Sequence, residues 1–285
     1  MNRLTDEKRC QVVAALVEGN SLRSTCRMTG AALNTVLKLL ADLGEACAIY
    51  QNRVLRNLPC KRLQSDEIWA FCYAKERNVR EALRGQFGYG DVWTWTAIDA
   101  DMKLIPCWLV GERNAETAEI FIRDVASRLA FRVQMTTDGL HLYLQPVADE
   151  FGGEIDYAML HKMYGKPAEY ENQNRTEARY SPPMCIAVRK WCVPGEQDDA
   201  HISTSYVERQ NLTMRMCMRR FTRLTNGFSK KVANHASMVA LHFMHYNSCR
   251  VHQTLDTTPA VAAGVADHVW TIRDMLALLD TPSSN

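Results

Sequence analysis

The 285-residue chain has no apolar run approaching the roughly 18 residues that a membrane-crossing helix needs. It opens on MNRLTDEKRC, with charge but no apolar segment behind it, so no signal peptide is expected. None of its ten cysteines forms a CxxC pair, and no Cys/His spacing suits zinc. They are expected to be reduced, mostly buried thiols of a cytoplasmic protein. Net charge is nearly absent as well, since 34 basic and 32 acidic residues leave +2. The scarcest thing is acid between Asp199 and Asp256, where Glu208 stands alone among Arg209, Arg215, Arg219, Arg220, Arg223, Lys230, Lys231 and Arg250.

A lone carboxylate in a basic stretch suits a metal ion held beside a polyanion. Residues 1–62 are also basic, with ten Lys/Arg against five acids. Two separated basic regions in a nearly neutral chain predict two surfaces for an anionic polymer. At 47% hydrophobic and 23% charged, the composition is that of a globular protein. Its length allows one large domain with one or two small ones.

Spacing predicts a helix over 5–18 with Thr5 as cap, a short helix from Ser21 to about Met28, and a third from Ala31 to about Leu43. A short helix, a tight turn at Thr29-Gly30 and a longer helix make a helix-turn-helix pattern. The faces left outward carry Arg23, Arg27, Asn34, Thr35 and Lys38, side chains able to reach phosphates and base edges. A plain three-helix bundle is the alternative. This gives an N-terminal all-α domain over 1–50, followed by a basic linker over 51–62.

Strands are predicted at 63–74, 91–98, 103–110, 131–137 and 156–162, and helices at 115–130 and 140–151. Asp99-Ala100-Asp101 is expected to form a solvated turn between the second and third strands. Residues 165–203, with Pro167, Pro182, Pro183 and Pro194, are expected to form a long loop or insertion. Trp191 within it would stack on an unpaired base or anchor the loop. A long helix follows from Ser203–Tyr206 through the basic stretch, then another over 230–246 and a helical tail over 256–285. The expected fold is α/β, with a mixed sheet flanked by helices over 63–255.

Asp66 falls in the first strand, Asp138 at the carboxyl end of the fourth, and Glu208 on the helix after the fifth. With the first and fourth strands adjacent, the two aspartates would lie side by side and the helix would bring Glu208 over them. Phosphodiester cleavage needs charge stabilised on both attacking and leaving oxygens, which two Mg²⁺ ions about 3.5–4 Å apart can do. Mg²⁺ takes hard oxygen ligands, and clustered carboxylates repel one another without a cation. Each acid also has an ordinary reading: a strand-edge residue, an Asp-Gly turn, a helix N-terminal acid. Glu67 is the rival to Asp66, but its alternation points it to the other face of the sheet. Asn211 and Arg215 follow Glu208 on roughly one helix face, and Arg215 and Arg219 are candidates for phosphate contact.

The stretches CKRLQSDEIWAFCYAK (60–75), WTAIDADMKLI (95–105), TTDGL (136–140), SYVERQNLTMRM (205–216) and HYNSCRVHQTLDTTPAVAAG (245–264) resemble a bacterial DDE transposase of the insertion-sequence-one family in its single-chain form. The resemblance implies a ribonuclease-H-like core with a metal triad on Asp66, Asp138 and Glu208. It implies Mg²⁺-dependent cleavage at the 3′ ends of an element, with Mn²⁺ able to substitute, followed by strand transfer into target DNA. The N-terminal domain would bind terminal inverted repeats. A bacterial, nucleoid-associated protein acting as a homo-oligomer on double-stranded DNA is expected, with no membrane partner. Such proteins commonly carry a zinc ribbon before the helix-turn-helix; none is present here, and zinc is not expected. His245, Asn247, Arg250 and His252 resemble a motif that would contact DNA or pack a helix end. The alternatives are a DNA-binding regulator with an inactive core, and a nuclease that cuts without joining.

Overall fold

The computed structural model describes residues 4–165, 184–193, 195–222 and 225–280. Arg223, four prolines of the expected insertion (Pro167, Pro182, Pro183 and Pro194) and the tail beyond Asp280 lie outside the described residues. Helix α1 (Asp6–Val17) starts where Thr5 accepts from the Lys8 amide. Helix α2 (Leu22–Thr29) starts where the Ser21 hydroxyl accepts from the Ser24 amide at 3.0 Å. It ends on Gly30, whose φ of 70° places it in the left-handed region.

Helix α3 (Leu33–Val54) is longer than its predicted end at Leu43. Its buried stripe of Val36, Leu40, Leu43 and Cys47 continues to Gln51, so nothing interrupts the helical period. Gly44 does not stop the helix. A Cβ there would lie 2.5 Å from both the Cβ and the carbonyl oxygen of Ser237, so the missing side chain is what lets another helix approach. The expected linker at 51–62 is correspondingly built into the fold. It begins as the last turn of α3, the Gln51 amide donates to the Ala240 carbonyl at 3.1 Å, and Leu58 exchanges backbone hydrogen bonds with Arg128 and Ala130.

Six strands form one mixed sheet in the order β3-β2-β1-β4-β5-β6: β1 (Arg62–Cys72), β2 (Gly90–Asp99), β3 (Cys107–Gly111), β4 (Val133–Asp138), β5 (Ile155–Gly165) and β6 (Met184–Cys192). β1 to β3 form an antiparallel meander, β4 lies parallel to β1, and β5 lies parallel to β4. The expected adjacency of the first and fourth strands is present. β6 corrects the expectation of a loop over 165–203, since Met184–Cys192 pairs antiparallel with β5. Its run of Ile186, Val188 and Trp191 has strand character that the flanking prolines obscured.

Asp99 is also corrected. It is fully buried, and its Oδ1 accepts the amides of Asp101 and Met102 at 2.7 Å each, so it ties the turn from inside.

Helices α4 (Ala115–Arg128) and α5 (Leu144–Phe151) cover one face of the sheet, with Phe121 and Val147 packed in one core cluster with Leu63, Trp95, Met135 and Tyr157. Helices α6 (Ser205–Cys217) and α7 (Val232–Ser248) cover the other. The helix expected to run through the basic stretch ends at Cys217 and is followed by a single turn over Arg219–Phe221. Ile68 and Ala70 of the sheet share one core cluster with Val207, Met214, Phe243, Leu40 and Val12, so the N-terminal helices and the sheet are packed as one body. Two short helices, α8 (Pro259–Ala262) and α9 (Ile272–Ala277), close the chain. Asn247 exchanges both amide hydrogen bonds with the Ile105 backbone at 3.0 Å, so it packs the end of α7. Among the described residues no helix is long and apolar enough to cross a membrane.

The α3–α7 approach is open to a direct test. Gly44→Val would force a branched side chain against the Ser237 backbone. Overpacking of this kind costs about 1–3 kcal/mol, so the midpoint of chemical denaturation is expected to fall; an unchanged midpoint would contradict the close packing.

Candidate functional site

β1 outruns its parallel neighbour. Its pairing with β4 ends at Ser65↔Thr137, whereas its pairing with β2 continues to Cys72↔Gly90. Asp66 is the first residue of β1 past that end, and Asp138 is the last of β4. A gap therefore opens between the two strands at the carboxyl end of β4. One oxygen from each of Asp66, Glu67 and Asp138 lies within 4.8 Å of the other two. The expected pair of aspartates meets, and Glu67 joins it.

Glu67 does leave β1 from the opposite face, where Tyr143 donates to it at 2.5 Å and Arg113 at 3.2 Å. Setting it aside on that ground is corrected by the open strand end, which lets carboxylates from both faces turn into one gap. A buried glutamate amid an apolar strand was the available signal, because such a charge is costly without a partner.

Helix α6 is locked over this gap by two strand side chains. The buried Gln64 Oε1 accepts the Tyr206 and Val207 amides at 2.8 and 3.2 Å, two of the donors that a helix start leaves unpaired. One turn further along, the Asn211 Nδ2 donates to Asp66 Oδ2 at 2.8 Å. Glu208 lies between these anchors and lines the same cavity of about 400 Å³ as Asp66, Glu67, Asp138 and Arg215. It stands outside the group of three. Its Oε1 takes the Lys162 ammonium at 2.5 Å and the Thr204 hydroxyl at 2.7 Å. Lys162 follows directly on His161, and neither stands in a pattern that marks it from sequence. Gly139 keeps His161 close, since a Cβ on it would come within 3.0 Å of the imidazole.

The carboxylates are poorly compensated. Burial, with the Asp138 charge behind it, pushes Asp66 up to about 7. Burial and the same neighbour push Glu67 up to about 8 against the opposing pull of Tyr143 and Arg113. Asp138 is raised as well, chiefly by burial. A divalent cation fits this donor set: three carboxylate oxygens in reach of one another, and beside them the buried Asn211 Oδ1, which has no hydrogen-bond partner among the described residues.

The remaining candidate residues separate into two groups. Arg23 and Arg219 line one crevice of about 500 Å³ with Arg220, Lys230 and Lys231, between the N-terminal helices and residues 219–220 and 226–231. Arg27 and Asn34 are exposed outside it, Thr35 is half-buried, and Lys38 is already paired with Asp42 at 2.7 Å. Trp191 is 44% exposed on β6, which corrects the reading of it as a buried anchor. Its ring lies 5.8 Å from that of His141.

No protein-family model matches the chain, and no curated protein does. Among solved structures it is similar to a piggyBac transposase synaptic complex with hairpin DNA, at 10% identity and a TM-score of 0.40, covering 97% of this chain and 71% of that one. It is also similar to the Mos1 mariner paired end complex with Mn, at 12% identity and a TM-score of 0.21 over 53% and 57% of the two chains. The C-terminal lobe of a budding yeast Argonaute gives 9% identity and a TM-score of 0.26 over 86% and 62%. None reaches a TM-score of 0.5, so the fold and the site rest on this chain's own residues.

Carboxyls whose folded pKa lies above the unfolded value of about 4 stabilise the fold at acid pH and lose that contribution as pH rises toward about 7–8. The melting temperature of metal-free protein is therefore expected to fall between pH 5 and pH 8. A few millimolar Mg²⁺ or Mn²⁺ would restore it. Asp138→Asn would raise the metal-free value at pH 8 by about 3–5 °C, corresponding to about 1–2 kcal/mol of relieved repulsion, and would blunt the response to metal. Melting curves insensitive to pH and metal would remove the case for a cation site.

Proposed function

We propose that this chain is a DDE-type DNA transposase that cuts at element ends and joins them to target DNA with Mg²⁺. The observation that carries this reading is the meeting of Asp66, Glu67 and Asp138 within 4.8 Å at an open strand end, in a cavity also lined by Glu208 and Arg215. Buried carboxylates held this close repel one another, and such a cluster is unfavourable unless a cation completes it. The crevice lined by Arg23, Arg219, Lys230 and Lys231 supplies a cationic surface on the same packed body, suited to a phosphate backbone.

In this reading Asp66 and Asp138 hold the metal, with Glu208 as the third ligand of the triad and Glu67 as a fourth carboxylate in reach. When bound, Mg²⁺ supplies a Lewis acid and an activated oxygen nucleophile. Asn211 fixes the Asp66 carboxylate, and Gln64 fixes the helix that carries Glu208. Lys162 neutralises Glu208 before DNA arrives and then meets phosphate oxygens together with Arg215. In cleavage a water oxygen bonds to phosphorus, the P–O3′ bond breaks and a 3′-hydroxyl is left. In joining, that hydroxyl attacks a target phosphodiester by the same in-line exchange. The segment of α2 and α3 is proposed to recognise the inverted repeats through Arg23, Arg27, Asn34 and Thr35. Two element ends must be brought together, so a homo-oligomer on DNA is part of the proposal.

The test is cleavage of supercoiled plasmid carrying the element ends, followed by joining of pre-cut ends. Wild type is expected to nick with Mg²⁺ or Mn²⁺ and not with chelator. Glu208→Gln, Asp66→Asn and Asp138→Asn are each expected to lose about 100-fold or more of the rate, the scale of removing a principal electrostatic stabiliser, while still binding DNA. Equal rates for wild type and Glu208→Gln would sink the assignment. Cutting without joining would make the chain a nuclease.

A further inference from the structure

A second cavity lies further along the strand that carries Asp66. Past the end of β4, the edge of β1 stays open until Cys72 bridges Ser229. Against this stretch sits a cavity of about 640 Å³ whose lining includes Trp69, Phe71, Tyr73 and Phe228, with Lys75 and Arg77 exposed at its rim. The rings are grouped: Trp69 and Phe71 lie 5.7 Å apart, and Phe71 and Phe228 lie 4.7 Å apart. The Lys230 ammonium stands 3.6 Å above the Phe228 ring. Trp69, Phe71 and Phe228 are all half-buried, so their rings are neither in the core nor free in water.

Half-covered aromatic faces rimmed by cations match one chemistry closely. Flat π-faces accept a nucleobase, and the lysine and arginine accept the phosphates on either side of it. A duplex does not expose base faces, so the occupant must be single-stranded or locally unpaired. The position agrees. Trp69 is three strand residues from Asp66, about 10 Å at strand rise and roughly three nucleotide rises. A strand with its phosphate at the carboxylates would pass this cavity as it leaves along the open edge of β1.

We propose that this cavity holds an unstacked base of the DNA strand engaged at the carboxylates, and that Lys75 and Arg77 hold its flanking phosphates. The inference rests on the transposase reading for the identity of the strand, but its binding test does not depend on cleavage.

The test uses the full-length chain in chelator. Blunt duplex is compared with the same duplex bearing a short single-stranded overhang that contains 2-aminopurine. Wild type is expected to bind the overhang DNA about tenfold more tightly than blunt duplex, the scale of one base stacked on an aromatic ring, and to change the 2-aminopurine fluorescence. Trp69→Leu keeps an apolar side chain but removes the ring, at a position that lines this cavity and not the crevice of Arg23 and Arg219, and Lys75→Ala/Arg77→Ala alters only exposed side chains. Both are expected to reduce the preference to about twofold or less, with blunt-duplex affinity unchanged. A preference equal to that of wild type in both variants would overturn the proposal. So would a ring-dependent change in oligomeric state without any change in overhang binding, which would mean that a protein segment fills the cavity. The two readings fail separately. Ring-dependent overhang binding without Mg²⁺-dependent cleavage removes only the catalytic assignment, and cleavage with no ring dependence removes only the base pocket.

Discussion

The arrangement depends on one buried amide. Gln64 lies on β1 two residues before Asp66, on the same face, and its side-chain oxygen accepts the first free amides of α6. A helix start buried without such a partner would leave donors unpaired at a cost of about 1–3 kcal/mol each. The same bond sets where α6 crosses the sheet. Once that crossing is fixed, Asn211 falls opposite Asp66 and Glu208 falls over the gap between β1 and β4. Loss of Gln64 would disturb Asp66, Glu208 and Asn211 without touching any of them.

A second constraint opposes this order. Asp66, Glu67 and Asp138 are held in a gap that burial makes inhospitable to charge, and the surrounding cations offset it only in part. Arg113 is committed to Glu67 and Lys162 to Glu208. The fold thus keeps an electrostatic deficit at one point and surrounds it with dense apolar packing on both faces of the sheet. Such a deficit is tolerable at a place where a cation and a polyanion arrive together.

Much of the fold was legible because its signals are local. Thr5 and Ser21 cap helices where short-range spacing predicts, and β1, β2 and β4 follow from apolar runs bounded by turn residues. The adjacency of β1 and β4 was legible from strand order, and it brought Asp66 and Asp138 together. What was not legible is non-local. Gln64 reads as an ordinary polar strand residue until its partner, more than 140 positions away, is known. Glu67 was excluded by alternation, a rule that presumes a neighbouring strand on each side, and at this point β4 has ended. Lys162 carries no pattern of its own. α3 runs past its predicted end at Leu43 because Gly44, by lacking a side chain, admits α7 and leaves the helical period unbroken.

The shared core of α3, α7 and the sheet has a mechanical consequence. Were the N-terminal helices hung on a flexible tether, they could hold a ligand at many distances from the carboxylates. Packed as they are, with Gly44 against Ser237 and Gln51 against Ala240, they cannot swing. Anything held on the outer face of α2 and α3 would therefore stand at a set distance from the carboxylate cavity, as on a ruler.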